Sequence, residues 1–207
     1  MDNSNETEIK KKRRQHLVNI AKAKFYESSI ANTTMHEIST EANIGRSTMY
    51  EYFSSKSELL SYIRTSYIND IYDVQLDLDD SLNGMQQLQI ILESYFEVML
   101  DRPKTMLFLS EYIRYLKDQD GAVDDLPLKN YETHNKLKEA IILGQKDGSL
   151  KHPEMNRRIA MIMETLIATA TRFAVKEQYT YASRNISIHK DEMMTLIKIL
   201  LNGIMTP

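Results

Sequence analysis

At 207 residues the chain is long enough for one or two domains, and it contains no cysteine, which excludes disulfides and thiolate metal sites. The formal net charge of −3 argues against a protein that coats nucleic acid over its whole surface. The charge is uneven, however, because residues 9–60 hold nine Lys and Arg against five Asp and Glu, whereas the rest of the chain from residue 61 is acidic. A basic N-terminal part on an acidic remainder is typical of a DNA-contacting module joined to another domain.

The hydropathy of the chain indicates its expected cellular location. No apolar run approaches the ~20 residues of a membrane span. The N-terminal sequence MDNSNETEIKKKRR lacks the apolar region of a signal peptide. We therefore expect a cytoplasmic protein with no membrane partner.

Apolar residues at helical spacing predict an all-α fold of about nine helices, with no strand pattern in competition. Residues 1–8 are polar and are predicted to be disordered. Helix 1 is predicted from Arg13 to Glu27. The basic run at residues 10–14 is either a solvated helix start or an arm that contacts phosphates.

A helix-turn-helix is predicted over residues 34–53. Thr34 and Glu37 have the spacing of a capping box that opens a short helix. Asn43 tolerates the left-handed conformation, which allows a turn of three to four residues before a second helix opens near Gly45.

The second helix of this pair has unusual surface chemistry. Met49 and Phe53 lie four residues apart and are predicted to face the core. The residues left on or near its outer face are Arg46, Ser47, Thr48, Tyr50, Glu51 and Tyr52. Small, hydroxylated and aromatic residues thus stand where a surface helix usually carries Glu and Lys, which favours a helix that enters a groove of DNA.

The stretch LVNIAKAKFYESSIANTTMHEISTEANIGRSTMYEYFSSKSELL resembles the N-terminal domain of the tetracycline-repressor (TetR) family of regulators, and the resemblance covers about residues 14–60. Phe25 matches the Phe at the end of that family's first helix. The other matching positions are Thr33-Thr34, Ile38-Ser39, Thr48-Met49-Tyr50-Glu51-Tyr52-Phe53, Lys56, Leu59 and Leu60. Two positions depart from the pattern, since Ser29 and Asn43 stand where the family usually has Gly. Each must adopt a conformation that Gly reaches more easily.

The resemblance implies a DNA-binding domain at residues 11–60 and a helical ligand-binding and dimerisation domain at residues 61–207. Arg46 is the best predicted base reader, because its guanidinium matches the O6 and N7 acceptors of guanine. Ser47 and Thr48 can bond a base or a phosphate. Glu51 either accepts from a cytosine amine or orients its neighbours.

The tyrosines of the second helix have two interpretations. By resemblance, Tyr50 and Tyr52 meet phosphates and thymine methyls. The alternative for both is packing between helices.

Further residues complete the predicted DNA-binding set. Lys56 resembles the family's phosphate-binding Lys at the start of the following helix. Thr34 stands at a helix N-terminus, where a phosphate finds free amides. His36 faces outward on the same helix, and Gly45 opens the reading helix.

The last two helices, predicted at residues 153–178 and 187–204, are apolar on two faces. Such helices are predicted to pack on their own domain and on a second copy. The predicted dimer residues are Ile159, Met163, Leu166, Ala170, Phe173, Met194, Ile197 and Leu201. The resemblance implies a homodimer whose two reading helices meet a palindromic operator.

An effector pocket is also implied by the resemblance, among the helices between the reader and the dimer pair. Its candidate residues are Tyr67, Tyr95, Met99, Phe108, Tyr112, Tyr131, His134 and Met163. Ordinary core is the alternative for each. Aromatic and thioether side chains would suit an apolar or aromatic small molecule.

These patterns predict a sequence-specific transcriptional repressor that leaves its operator when the effector binds. A TetR-like activator and an effector-independent architectural DNA-binding protein are the alternatives. No enzyme activity, cofactor or metal is expected. The five His are scattered, and neither a phosphate-binding Gly-rich loop nor a nucleophile elbow occurs.

Overall fold

The computed structural model describes residues 3–72, 74–119, 132–151, 154–178 and 190–205. Within these ranges the chain forms α-helices and no strands, which confirms the predicted all-α class. The nine helices of the described part are α1 (Asn3–Ser28), α2 (Met35–Glu41), α3 (Arg46–Tyr52), α4 (Lys56–Tyr72), α5 (Gly84–Leu100), α6 (Pro103–Asp118), α7 (Glu132–Asp147), α8 (Met155–Gln178) and α9 (Lys190–Met205). None of these helices is long and apolar enough to cross a membrane.

Two compact units divide the chain. The first comprises Met1–Tyr67 and Phe108–Val123, and the second comprises Ile68–Leu107 and Asp124–Pro207. The first unit therefore includes the C-terminal part of α6 as well as the N-terminal helices. It is larger than the DNA-binding domain expected at residues 11–60, and that functional boundary stays a prediction.

The first unit is built around apolar side chains from α1 to α4 and from the end of α6. Met49 and Phe53 have no exposed surface, which confirms the predicted inward face of α3. Phe25 on α1 lies 6.3 Å from Phe108 on α6, centroid to centroid. Because burial of large apolar side chains is the main stabilising term in folding, these residues fix α3 on the unit while its other face stays open.

Two helix starts differ from the prediction. α1 begins at Asn3 rather than Arg13, so residues 3–8, predicted to be disordered, are helical. Glu8 and Lys12 are four residues apart with the acidic residue first, a spacing that favours a helix, although the two side chains form no ion pair here. The sequence pattern predicts a start and a cap at Ser57 for α4. Instead, α4 begins at Lys56 and is capped by Ser55, whose hydroxyl accepts from the Glu58 amide at 3.1 Å.

In the second unit α5 packs against α7, α8 and α9. Its N-terminus closely approaches α7, since a Cβ added to Gly84 would lie 2.0 Å from the Gly144 nitrogen. Asn83 caps α5 through a capping box with Gln86, and Asp147 accepts from the Gly84 amide at 2.8 Å. The apolar pattern predicts α7 from about residue 126 to residue 146. The predicted starts of α7, α8 and α9 fall on residues outside the described ranges, and their ends lie within one residue of the prediction.

Candidate nucleic-acid interface

The turn between α2 and α3 has the geometry that its sequence predicts. Asn43 has φ 52°, and Ser29, after α1, has φ 76°. Both residues that stand in place of the family's Gly therefore adopt the left-handed region, as predicted. The Ile44 amide donates to the Ser39 carbonyl at 3.0 Å, which closes the turn. The turn is thus short and hydrogen-bonded, and it sets the direction of α3.

α3 presents its first turn to solvent. Gly45 is its N-cap in an extended conformation, and no side chain caps this end. Arg46 is exposed, with its guanidinium 5.7 Å from the ring centroid of Tyr50. Tyr50 is 40% exposed. The cation over the ring gives these two long side chains a common direction, one helical turn apart.

Five of the predicted DNA-binding residues line one open groove of about 410 Å³ in the first unit. They are Thr34, His36, Arg46, Tyr50 and Lys56. The groove also contains Ala31, Thr33 and Met35, none of which the sequence analysis assigned to DNA binding. A base reader and candidate phosphate contacts from α2, α3 and α4 are therefore brought together by the fold.

The other predicted contacts lie outside the lining of this groove. Ser47 and Glu51 are exposed, and Thr48 is half-buried. Tyr52 is half-buried and packs against the apolar core of the unit, which is the alternative considered for it. No ion pair joins Glu51 to Arg46, so an orienting role of Glu51 does not rest on a direct contact in the free protein.

The hydrogen-bonding groups of Thr34 already cap its own helix, α2. Its amide donates to Glu37 Oε2 at 2.7 Å, and its hydroxyl accepts from the Glu37 amide at 3.2 Å. These bonds from the Thr34 backbone and side chain lower the pKa of Glu37. The predicted capping box is confirmed. A phosphate at Thr34 would have to approach the charged carboxylate, so the phosphate role of Thr34 stays a prediction.

Lys56 is held by the loop between α1 and α2. Its ammonium donates to the Ile30 carbonyl at 2.5 Å and lies 5.0 Å from the ring centroid of Tyr115. Burial lowers the pKa of Lys56, while the charge of Glu111 acts in the opposite direction. An ammonium has three donors, so Lys56 retains capacity for a phosphate while it holds the loop.

The same loop is held from α6. The Ile30 amide donates to Glu111 Oε1 at 2.7 Å, so one residue is bound through its amide by α6 and through its carbonyl by α4. We call Glu111, Ile30 and Lys56 the loop clamp. Sequence analysis missed Glu111, because nothing in a sequence signals a contact between residues 81 positions apart.

The groove suits binding of an anion. Its lining includes Arg46, Lys56 and Tyr50, which carry a guanidinium, an ammonium and a hydroxyl. Such groups bind phosphate oxygens and base edges. Within the described part of the chain, no group of three or more His, Asp or Glu could hold a metal ion.

The candidate effector residues are divided between the two units. Tyr67, Phe108 and Tyr112 cluster in the first, with ring centroids 5.1 Å (Tyr67 to Phe108) and 6.2 Å (Phe108 to Tyr112) apart. In the second unit Tyr95 and Met99 are buried and Met163 is half-buried.

Two candidate effector residues cannot be assigned a position. Tyr131 lies outside the described residues, and only the backbone of His134 is described. The pocket therefore stays a prediction.

The predicted dimer residues are largely internal to the single chain. Ile159, Leu166 and Ala170 are buried within it, whereas Met163, Phe173 and Met194 are half-buried. The side chains of Ile197 and Leu201 lie outside the description. The apolar stripe predicted for a second copy thus supplies much of this chain's own core. Exposed apolar side chains occur elsewhere on the same helices, at Met161 and Ile199, both 62% exposed.

The described part of the chain is helical, and it contains a short-turned helix pair whose second helix exposes Arg46, which is the arrangement of the helix-turn-helix class. Residues 17–63 match the sequence model described as bacterial regulatory proteins, tetR family. Over these residues the sequence is similar to that of the tetR family of bacterial regulatory proteins.

Relatives and solved structures agree with this placement. An HTH-type transcriptional regulator of Staphylococcus aureus strain USA300 is 33% identical over 89 residues, which are 43% of this chain and 43% of that protein. The chain thus matches less than half the length of this relative.

Solved structures share the fold. A TetR-like transcriptional regulator from Rhodococcus sp. RHA1 has a TM-score of 0.56 and 18% identity, covering 91% of this chain and 93% of that one. The transcriptional regulator FadR from Bacillus subtilis, solved with stearoyl-CoA, has a TM-score of 0.56 and 16% identity, covering 93% and 97%. At such low identity these likenesses establish the fold alone.

Proposed function

We propose that the chain is a sequence-specific DNA-binding transcriptional regulator that acts as a repressor. The observation that carries this proposal is the exposed first turn of α3, with Arg46 and Tyr50 beside Lys56 in one groove. The buried Met49 and Phe53 hold the opposite face of α3. A short helix fixed from behind and polar in front is suited to the major groove, which admits an α-helix.

Within this proposal each side chain has a chemical task. Arg46 donates two hydrogen bonds to one guanine edge. Tyr50, Lys56 and Thr34 contact phosphates, which set register without reading sequence. Ser47, Thr48 and Glu51 face the adjacent bases, while His36 and Gly45 approach the backbone.

Two copies bind a palindromic operator in this proposal. A single seven-residue helix reads few bases, and a two-fold pair doubles the site. The exposed Met161 of α8 and Ile199 of α9 support a surface for a second copy on these helices. Such exposed apolar residues lose contact with water when two copies associate.

In this proposal the protein leaves its operator when a small apolar or aromatic effector binds to it. The effector would bind among α4 to α7 and favour a state in which α4 swings and the two reading helices no longer fit both half-sites. The effector can shift DNA affinity only by its differential affinity for the two states. Buried aromatic and thioether residues in both units support an apolar ligand. FadR, which shares the fold, was solved with stearoyl-CoA, so acyl-CoA belongs in any ligand panel.

Selection of duplexes from a random library by the purified chain tests the proposal. We expect enrichment of one palindromic sequence, bound at least 1,000-fold more tightly than unrelated DNA, as is roughly typical of specific binders. A shallow preference with strong salt dependence alone would favour the architectural alternative.

A ligand panel tests release, and transcription in vitro separates repressor from activator. Apolar and aromatic compounds should raise the melting temperature and weaken the operator complex. If no compound does either, the effector part of the proposal fails while the DNA-binding part stands. A rise in transcript when the protein binds its operator would identify the TetR-like activator.

A further inference from the structure

Residues 8–13 of α1 do not pack against the described part of the chain. α1 begins at Asn3, but its first buried side chain among those described is Leu17. Residues 8–13 are all exposed, and even Ile9 leaves 53% of its surface in water. Ordering each residue costs roughly 1–2 kcal/mol of backbone entropy, and no burial of residues 8–13 offsets that cost in the free chain.

Arg14 marks where this extension leaves the first unit. Its guanidinium lies 4.7 Å from the Phe53 ring centroid and 4.5 Å from that of Tyr62, and it pairs with Glu58 at 3.4 Å. Phe53 is the C-cap of α3. The extension therefore departs beside the C-terminal end of the proposed reading helix.

Four consecutive cations occupy the extension next to this point. Lys10, Lys11, Lys12 and Arg13 are exposed, and none pairs with a carboxylate whose side chain is described. At about 100° per residue, four successive positions distribute the charges around the whole helix. Whichever side of the extension meets a partner, at least one or two cations face it. Arg14 is committed to Glu58, so it does not belong to this set.

The partner that fits is duplex DNA. Four helical residues rise about 6 Å along the axis. A duplex carries one phosphate per ~1.7 Å of its axis when both strands are counted, so two or more phosphates lie within that length. Phosphates neighbouring the base pairs that α3 reads are the nearest dense anions, because the extension starts at the end of α3.

We propose that Lys10, Lys11, Lys12 and Arg13 form a second phosphate-binding site, which takes the duplex backbone flanking the half-site read by α3. This inference rests on the proposed function. The site contributes affinity and salt dependence and reads no base, since phosphate contacts carry no sequence information directly.

Replacement of all four cations by Gln tests the site. Gln has a helix propensity close to that of Lys and Arg, and the extension has no packing to lose, so the variant should keep the wild-type helicity and melting temperature. A matched control replaces four exposed cations of the second unit, Lys138, Lys146, Lys151 and Arg157, by Gln. Both variants change the net charge equally.

The readout is operator affinity against salt concentration, with the duplex selected by the wild-type chain. Each phosphate contact contributes about 0.9 to the slope of log affinity against log salt. We expect the N-terminal variant to lose about 2 from this slope per bound protomer, while its base preference stays unchanged. The control variant should keep the wild-type slope to within about 0.5.

Duplex length gives a second readout. Trimming the flanks of the operator should weaken wild-type binding at least ten-fold and leave the N-terminal variant unaffected, because that variant no longer contacts the flank. An unchanged slope, or equal losses in both variants, would overturn the inference. If the wild-type chain selects no duplex at all, the proposed function itself fails, and that outcome is seen before either variant is made.

Discussion

Arg46 carries most of the proposed base reading, because it combines exposure with a fixed direction over the Tyr50 ring. A guanidinium that is free of protein carboxylates does not have to break an ion pair before it binds DNA. The same exposure makes it dispensable for folding. A substitution at Arg46 should therefore weaken DNA binding without lowering the stability of the fold.

Arg46→Ala should weaken binding to the selected operator by roughly 10- to 100-fold for each half-site, because a bidentate contact with guanine contributes about 1–3 kcal/mol. Fluorescence anisotropy with labelled duplex measures the loss. Arg157→Ala, an exposed residue of α8, serves as the charge-matched control. Equal affinities of Arg46→Ala and wild type would remove Arg46 from the site.

Ser29 stores strain that Gly would relieve. Its φ of 76° costs a residue with a Cβ about 1 kcal/mol. Ser29→Gly should therefore raise the stability of the chain by about 0.5–1 kcal/mol, a Tm increase of about 2 °C. Ser29→Ala should lower stability, because it keeps the Cβ and loses the hydroxyl that accepts weakly from the Asn32 amide at 3.4 Å. Calorimetry distinguishes the two, and a stabilising Ser29→Ala would contradict this explanation.

Among the elements, α6 has a role that its sequence conceals. Its apolar pattern predicts a central helix, and the structure divides it between the two units at Leu107 and Phe108. Its C-terminal part supplies Glu111 and Tyr115 to the loop that leads into α2. The position of the groove therefore depends on α6 as well as on the helices that line it.

Glu111→Ala should destabilise the chain by about 1–3 kcal/mol, because the amide of the buried Ile30 loses its acceptor. The α1–α2 loop would loosen, and operator affinity should fall although Glu111 does not line the groove. Urea unfolding and anisotropy measure the two effects. Glu111→Gln retains an acceptor, so its stability and operator affinity should lie between those of wild type and Glu111→Ala. Glu139→Ala, on the exposed face of α7, should change neither stability nor operator affinity.

At the start of α5, a carboxylate links stability to pH. Hydrogen bonds from the Ser149 side chain, then from the Gly84 and Ser149 amides, lower the pKa of Asp147. A lowered pKa in the folded state means that the contribution is complete above the unfolded value of about 4 and is lost as pH falls through the folded value.

Asp147→Asn should therefore be less stable than wild type at pH 7, and the difference should shrink steadily below about pH 4. Urea unfolding at pH 7, 5, 4 and 3 measures it. Asp118→Asn, an exposed residue near the end of α6, makes the same charge change without the α5 contacts. A difference between Asp147→Asn and wild type that persisted unchanged at pH 3 would contradict the assignment.

For the molecule as a whole, local rules predicted local structure. The capping box at Thr34 and Glu37, the left-handed Ser29 and Asn43, and the buried face of α3 all follow from short-range chemistry. Hydrophobic periodicity predicted α5, since its apolar pattern from Gly84 to Leu100 has the same bounds as the helix.

Contacts between distant residues were not predictable in this way. The loop clamp joins α4 and α6 through Ile30, and no periodicity connects those positions. The dimer stripe stays a prediction for a related reason. An apolar face predicts burial but not the partner, and Leu166 and Ala170 are buried by their own chain.

Sequence-specific recognition is tested most directly by titrating one duplex, selected from a random library by the wild-type chain, against unrelated competitor DNA at physiological salt. We predict a palindromic duplex bound at least 1,000-fold more tightly than the competitor, with most of that preference lost in Arg46→Ala. A preference below about ten-fold, or one that Arg46→Ala leaves intact, would contradict the assignment of α3 as the reading helix.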